Sequence, residues 1–544
     1  MAKYEIKDGV GIIPEGTTTI ESEAFCNSKE LTSVVIPDTV TEIGESAFED
    51  CTGLTNVVIP DSVTSIGNYA FSNCSSLREI IIPDTVTEIG KSTLYGCKGL
   101  TNIVIPTSVT KIGKSAFSHC EGLTNIVIPD SVTEIGEGAF SGCESLTNIV
   151  IPDSVTKIDK ETFRYCHNLK KVILSGSLTS ISSYAFEFCK NLTDIVIPKS
   201  VQSIGLNTFR GCESLTNVVL SESLASIDTG AFEYCTRLSS IVIPRSVTDI
   251  TRSAFRHCDA LTSIQVEEGN PKYDSRDNCN AIIESETNTL VVGCSTTIIP
   301  DTVLKIDKAF VYCANLSQIT IPNSVKVIAG HAFWGCSDLE SVIIPKSVSE
   351  IGNAVFVECA NLAEIQVEEG NPVYDSRNNC NAIIESATNK LISGCSTTII
   401  PDTVTIIDRT AFYGSNLKEV TIPNSVIEIG RDAFRGCSLL KSIVIPKSVK
   451  ELGCDAFEDC KKLTSVTILC TMSLEEKYFE GCKNIKSLTL GTGAKPFGKR
   501  FFEDWTNSLE NIYVPEKKVD YYKNKFGWGL SEKVVAAPVE KKKK

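Results

Sequence analysis

Histidine is nearly missing from this 544-residue chain, which has four, and methionine (two) and tryptophan (three) are as scarce. The four, His119, His167, His257 and His331, stand far apart in the sequence. A serine nucleophile needs an adjacent base, most often histidine, and a structural metal site needs convergent ligands, so this scarcity argues against both. No HExxH, no GxSxG elbow and no glycine-rich phosphate loop occurs. Neither an enzyme activity nor a cofactor or metal is expected. Long apolar runs are missing too: Ile80-Ile81-Ile82 is cut off at once by Pro83, so no segment reads as a membrane-spanning helix. Positive charge is in deficit, with 52 Lys and Arg against 67 Asp and Glu and a net charge of −15. Binding a phosphate backbone needs a basic face, which excludes nucleic acid as a partner. The one basic block, residues 541–544, reads as a solvated tail. The opening MAKYEIKDGVGIIPEG has no apolar leader core, which on its face places the chain in the cytoplasm.

What is abundant is cysteine, 23 residues, and the order in which everything recurs. Leu31, Leu54, Leu77, Leu100, Leu123 and so on to Leu261 follow one another every 23 residues, and the register resumes at Leu316, Leu339 and Leu362 and again at Leu417, Leu440 and Leu463. One unit reads LTNIVIPDSVTEIGEGAFSGCES, residues 123–145. Residues 123–128 are β-branched and read as a strand. Pro129 cannot donate to a ladder and stops it. Gly136 permits a tight bend, and Ala139 and Phe140 begin a short helical or 3-10 turn closed by Cys143. A single unit cannot bury its Leu, Ile, Val, Phe and Cys alone; stacking on its neighbours does. The expected fold is a repeat solenoid with a parallel β-sheet, a single array in place of the several domains its length suggests.

Sixteen cysteines share one column: Cys51, Cys74, Cys97, Cys120, Cys143, Cys166, Cys189, Cys212, Cys235, Cys258, Cys313, Cys336, Cys359, Cys437, Cys460 and Cys482. One column faces one way, and free cysteine is a small, soft, often buried hydrophobe, so these read as reduced core thiols. Disulfides would pair neighbouring rungs irregularly, and a line of thiols does not converge on a metal. A second column, including Thr39, Ser62, Thr85, Ser108, Ser131 and Ser154, is always a hydroxyl and reads as bonding backbone groups at the turn.

The pattern LTxIxIPxSVTxIGxxAFxxCxx, over roughly residues 10–515, is similar to the BspA-like leucine-rich repeats of bacterial and protist proteins. That resemblance implies a binding scaffold for protein partners. Some members are adhesins for host extracellular proteins, which implies a cell-surface or secreted location; the alternative is an intracellular structural scaffold without a dedicated ligand.

The register breaks at two near-identical insertions beginning at Ile264 and Ile365. Residues 281–284 with 290–292, and 382–385 with 391–393, read as β-hairpins. Cys279 with Cys294, and Cys380 with Cys395, could pair across them after export. Asp274, Asp277, Asn278 and Asn280 resemble a calcium loop in composition, without the glycine and glutamate spacing of an EF-hand, and read as turn residues. The segments are therefore a capping rung at 1–30, regular repeats at 31–263, a hairpin insertion at 264–315, repeats at 316–364, a second insertion at 365–416, repeats at 417–484, degenerate repeats with a cap at 485–530, and a tail at 531–544. A short helix is expected over 514–528, with disorder beyond.

The fifth position of each strand runs Val35, Val58, Ile81, Val104, Val127, Val150, Ile173, Val196, Val219 and Val242. In register these make an outward apolar ridge roughly 45 Å long at parallel-strand spacing, and beyond Leu261 the position turns polar as Gln265, Thr320, Gln366 and Thr421. Recent duplication of residues that suit an open strand explains such a row without function; a docking face explains it with one. On the second explanation the partner-binding residues are Asn102, Val104, Asn125, Val127, Asn148 and Val150, with Trp334 as a lesser anchor.

Overall fold

The computed structural model describes residues 4–471, 478–493, 499–502, 504–526 and 529–538. The chain divides into two compact units, 1–275 and 276–544, and the division falls inside the first insertion, where the period first fails. Both units are β-solenoids, and each turn of the coil has three sides.

In the first unit the leading side carries three- and four-residue strands, such as Asn102–Val104, Asn125–Val127 and Asn148–Val150. They pair in parallel without slip: Asn102 faces Asn125, and Val104 faces Val127. Period-2 alternation puts Ile103, Ile126 and Ile149 in the core and their neighbours outside. This ladder lapses between Val127 and Asn148 and between Val219 and Ser240. The first strands form a hairpin, Glu5–Lys7 with Val10–Ile12, that caps the sheet, while Tyr4 lies 5.5 Å from Phe25.

A second ladder was not expected. After the proline turn each rung forms a two-residue strand, such as Glu134–Ile135, paired in parallel with the same two residues of neighbouring rungs. Two residues are too short to read as a strand by periodicity. The third side was read as a helical turn, and it is instead a run of tight turns bonded across rungs. Ser115, Phe117 and His119 donate their amides to Glu137, Ala139 and Ser141 of the next rung at 2.9, 2.8 and 2.6 Å. The first and last need left-handed backbone at Ser115 (φ 54°) and His119 (φ 59°), a conformation glycine takes without penalty at Gly138 and Gly142 one rung on. Gly136 serves close approach more than bending: a Cβ there would sit 2.7 Å from the amide nitrogen of Lys114.

Inside, the Phe column is a stack. Phe117, Phe140, Phe163, Phe186, Phe209, Phe232 and Phe255 follow at 5.3–5.6 Å with near-parallel rings. Beside it, the column cysteines donate the thiol to a carbonyl one rung back, as Cys143 does to Phe117 at 3.2 Å. They are therefore donors as well as apolar filler. Burial pushes the thiols of Cys51, Cys97 and Cys166 up to about 12, so these stay protonated. The hydroxyl column does what its position suggests: Ser62, Ser108, Ser131 and Ser246 each donate at 2.7 Å to a carbonyl of the previous rung. Ser324, Ser425 and Ser448 depart from this and make no such bond.

The second unit keeps the two-residue ladder through Thr289–Gly293, Lys305–Ile306, Val327–Ile328 and Glu350–Ile351. Its hairpins form as expected, Ala281–Glu284 with Thr289–Gly293 and Ala382–Glu385 with Lys390–Gly394. The hairpin cysteines bond carbonyls, Cys294 to Asn280 and Cys395 to Asn381, both at 3.3 Å. The loop polar residues are turn formers: Asp277, Asn278 and Asn280 all have φ between 51° and 59°. In the second copy Asp375 is taken by Arg377 at 2.6 Å and by Ser386 at 2.6 Å.

At the C-terminal end Phe457 stacks on Phe479, which meets Phe501 edge-on at 5.8 Å. That turn of the rings ends the stack, with Trp505, Tyr522 and Phe526 buried over it. The expected helix is shorter, Val519–Lys525, preceded by the strand Asn511–Val514; residues 527 and 528 lie outside the described residues. Disorder beyond 530 is corrected for part of that segment. Val534–Ala536 adds a strand beside Asn511–Val514, because Val534 buries itself against the last rung. Residues 541–544 lie outside the described residues.

Candidate protein interface

Each strand of the first unit has one side chain whose position its fold cannot use. The residue after the buried Ile or Val of the sheet must point outward, and in a water-facing solenoid it stays there. All ten ridge residues do so, from Val35 (73% exposed) and Val127 (71%) to Val219 (47%). The hairpin adds Ile12, which pairs with Val35, so the row begins one rung earlier than expected. Asn102, Asn125 and Asn148 stand exposed two residues before Val104, Val127 and Val150, and the six share one face. Thr124 beside them is bound, donating to the carbonyl of Thr101 at 3.3 Å.

Trp334 is not part of that face. It sits on the turn side of a rung in the second unit, its ring 4.8 Å from His331 and 5.8 Å from Tyr312, and its indole N–H donates to Glu358 at 3.0 Å. Its polar edge is spent on its own chain. The switch to polar residues beyond Leu261 is also less complete than expected: Ile343 and Val444 hold the same position and are 54% and 48% exposed.

The ridge is not uniform. A groove of about 620 Å³ opens where Ile173 and Val196 stand side by side, lined by Leu174 and Pro198 and edged by Lys171, Asp194 and Lys199. The rung there has Ser175 where its neighbours have Pro152 and Pro198, and Ser175 is buried. Losing the proline ring leaves a hollow beside an otherwise filled row. The exchange of serine for proline, repeated at Ser221, was the signal in the sequence that could have located it.

On the turn side of the same unit, Glu187 is almost fully buried between two guanidinium groups. Arg164 Nε lies 2.6 Å and Arg210 Nη1 3.1 Å from its carboxylate, and Arg210 also reaches Glu233 at 2.8 Å. Arg210 covers Phe188 and Tyr234, and Tyr234 stacks on His257 at 4.2 Å. Every charge here has an intrachain counterpart. In the second unit Asp432, Asp455 and Glu458 approach one another, and each is ion-paired: Arg431 with Asp432 and Asp455, and Arg435 with Asp432 and Glu458. Among the described residues no helix is long and apolar enough to cross a membrane.

The model of the BspA type leucine-rich repeat region matches residues 11–121, 87–211, 179–289, 281–390 and 405–528. No curated protein matches the chain. Among solved structures, a leucine-rich repeat protein from Bacteroides ovatus is 25% identical, over 89% of this chain and 92% of that one, with a TM-score of 0.35. A leucine-rich cell surface protein from Faecalibacterium prausnitzii is 25% identical, over 88% and 91%, with a TM-score of 0.28. The pneumococcal vaccine antigen PcpA is 21% identical, over 72% and 78%, with a TM-score of 0.33. With its rungs and columns matched to that family model over most of its length, the chain belongs to the BspA-type leucine-rich repeat family, whose repeats commonly mediate protein interaction.

Proposed function

We propose that the chain is a non-catalytic binding scaffold that captures a protein partner on the strand face of its first unit. The observation that carries this reading is the unbroken row of exposed β-branched side chains, hollowed at Ile173 and Val196. Isolated exposed apolar residues are ordinary, but ten in register form a contiguous patch of the kind that marks interaction sites. The Thr and Asn residues bordering the rungs of Val104, Val127 and Val150 supply hydrogen bonds without a charge to desolvate. Asn102, Val104, Asn125, Val127, Asn148 and Val150 remain on this face; the groove residues Ile173, Leu174, Val196 and Pro198 join them as its anchor. Trp334 is left out, because its edge is already bonded.

The test compares two variants of the full chain. Immobilised wild-type protein is used to identify captured species from host extracellular proteins and from lysate of its own cells. Ile173→Glu with Val196→Glu should lose that partner while leaving the far-UV spectrum unchanged. Ile343→Glu, at the same strand position in the second unit, should keep it. An unchanged partner with the ridge charged would overturn the reading.

A further inference from the structure

The strand side of the second unit contains a stretch where the ladder is open. Residues 318–321 follow the extended pattern of every other rung: Gln318 and Thr320 are exposed, Ile319 is half-buried and Ile321 is buried. They nevertheless form no strand, and the amides and carbonyls of residues 318–320 bond no other backbone. On one side lies 297–299, which forms no strand either; Ile298 donates its amide to Cys279 at 3.1 Å, away from 318–320, and is 72% exposed. The lapses in the first unit are different, since the strands flanking each of them pair on their other side. Here a strand is unpaired on both. The period also changes at this rung: from Pro300 to Pro322 is 22 residues, one short of the 23 from Pro322 to Pro345. The two-residue ladder stays paired through this rung, and the missing residue falls on the turn side after it: Ile306 to Phe310 is four residues where Ile328 to Phe333 is five.

Between the two open segments is a cleft of about 830 Å³, within the range of sites that enclose a ligand. Its wall offers the exposed backbone of 318–320, the side chains of Ile298 and Ile319, and two carboxylates, Asp301 and Glu368, with no basic side chain in the lining. Glu368 is held in place, accepting the amide of Lys346 at 3.0 Å. Unpaired strand backbone is a template for another strand, and main-chain bonds give such binding its affinity while side-chain pockets give its preference.

We propose that this cleft takes an extended peptide segment as an added strand, with main-chain bonds to residues 318–320 and a lysine or arginine side chain between Asp301 and Glu368. It is separate from the ridge of the first unit and stands or falls without it. The probe is a fluorescein-labelled octapeptide of alternating threonine and valine with one central lysine, titrated into the full chain by anisotropy. Saturable binding is expected. Peptide N-methylated at alternate amides along one edge should bind about tenfold or more weakly, and peptide with glutamate for lysine should do likewise. Asp301→Asn with Glu368→Gln should erase the preference for lysine over glutamate. Amide exchange in the segment spanning 318–320 should slow when the peptide is present, and Thr320→Pro, which removes an amide bonded to nothing, should weaken binding. The first two comparisons use wild-type protein, so a variant that misfolds does not decide the matter. No saturation at millimolar peptide, equal binding of the N-methylated peptide, or protection appearing only near 419–421 overturns the proposal.

Discussion

The two units use the same repeat and differ in what its regularity leaves outside. In the first, eleven consecutive leucines keep a 23-residue step and every outward β-branched side chain lines up into one face. In the second, two insertions and two shortened steps, Pro300 to Pro322 and Pro401 to Pro423, break the strand ladder while the inner columns carry on. Phe412 and Phe434, only 22 residues apart, still stack at 4.9 Å, and Cys437 still donates to Phe412 at 3.1 Å. The core and the two-residue ladder therefore both carry a shortened step, while the leading strands beside it stay unpaired.

The largest effect should come from the shared core. Phe186→Ala, inside the seven-ring stack, should cost about 3–5 kcal/mol in urea unfolding. Phe333→Ala in the second unit should cost a similar amount; a much smaller loss there would show that the interrupted unit packs less tightly. Next is Glu187→Ala, which leaves Arg164 and Arg210 facing each other in the first unit only. Both side chains keep more than a quarter of their exposure, 27% and 30%, so the expected loss is about 2–4 kcal/mol, at or below that of a fully buried pair.

The cysteine column predicts an alkaline limit common to both units. A thiol whose folded pKa is raised stabilises the protein below its unfolded value of 9.0, and that stability is lost as pH rises toward the folded value, about 12 at Cys97. Unfolding followed against pH should therefore show a decline beginning above pH 9. Cys97→Ser, with a hydroxyl that does not titrate there, should shift that decline less steeply, and no difference between the two would break the linkage. Alkylation of native protein near neutral pH should mark the exposed Cys454 first and leave the buried column unmodified. The smallest effect separates the two units again. Ser415 stands in the cysteine column beside the second shortened step, buried and with its hydroxyl unbonded. Ser415→Ala should be neutral or stabilising by up to about 1 kcal/mol, while Cys143→Ala, which removes a made bond and packing, should be destabilising.

Much of this protein was legible in one dimension. The leucine, cysteine and hydroxyl columns fixed the coil and its register, because a residue repeated at one point of every turn has to face one way. The outward row from Val35 to Val242 followed from alternation alone, and so did both hairpins. Other features were hidden for a physical reason in each case. The Glu134–Ile135 ladder is two residues wide and has no period to read. The turn side looked helical because its residues are compatible with a helix, yet its amides bond to the next rung. The thiol's carbonyl partner lies 26 residues back and is invisible to local reasoning. Tertiary structure alone decided that Trp334 spends its N–H on Glu358, that Ser175 opens a groove beside Ile173, and that residues 318–320 stand without a paired strand. Sequence set which way each column points. Only the stacking of whole rungs, each held to a backbone spacing its neighbours impose, decided where the surface closes and where it stays open.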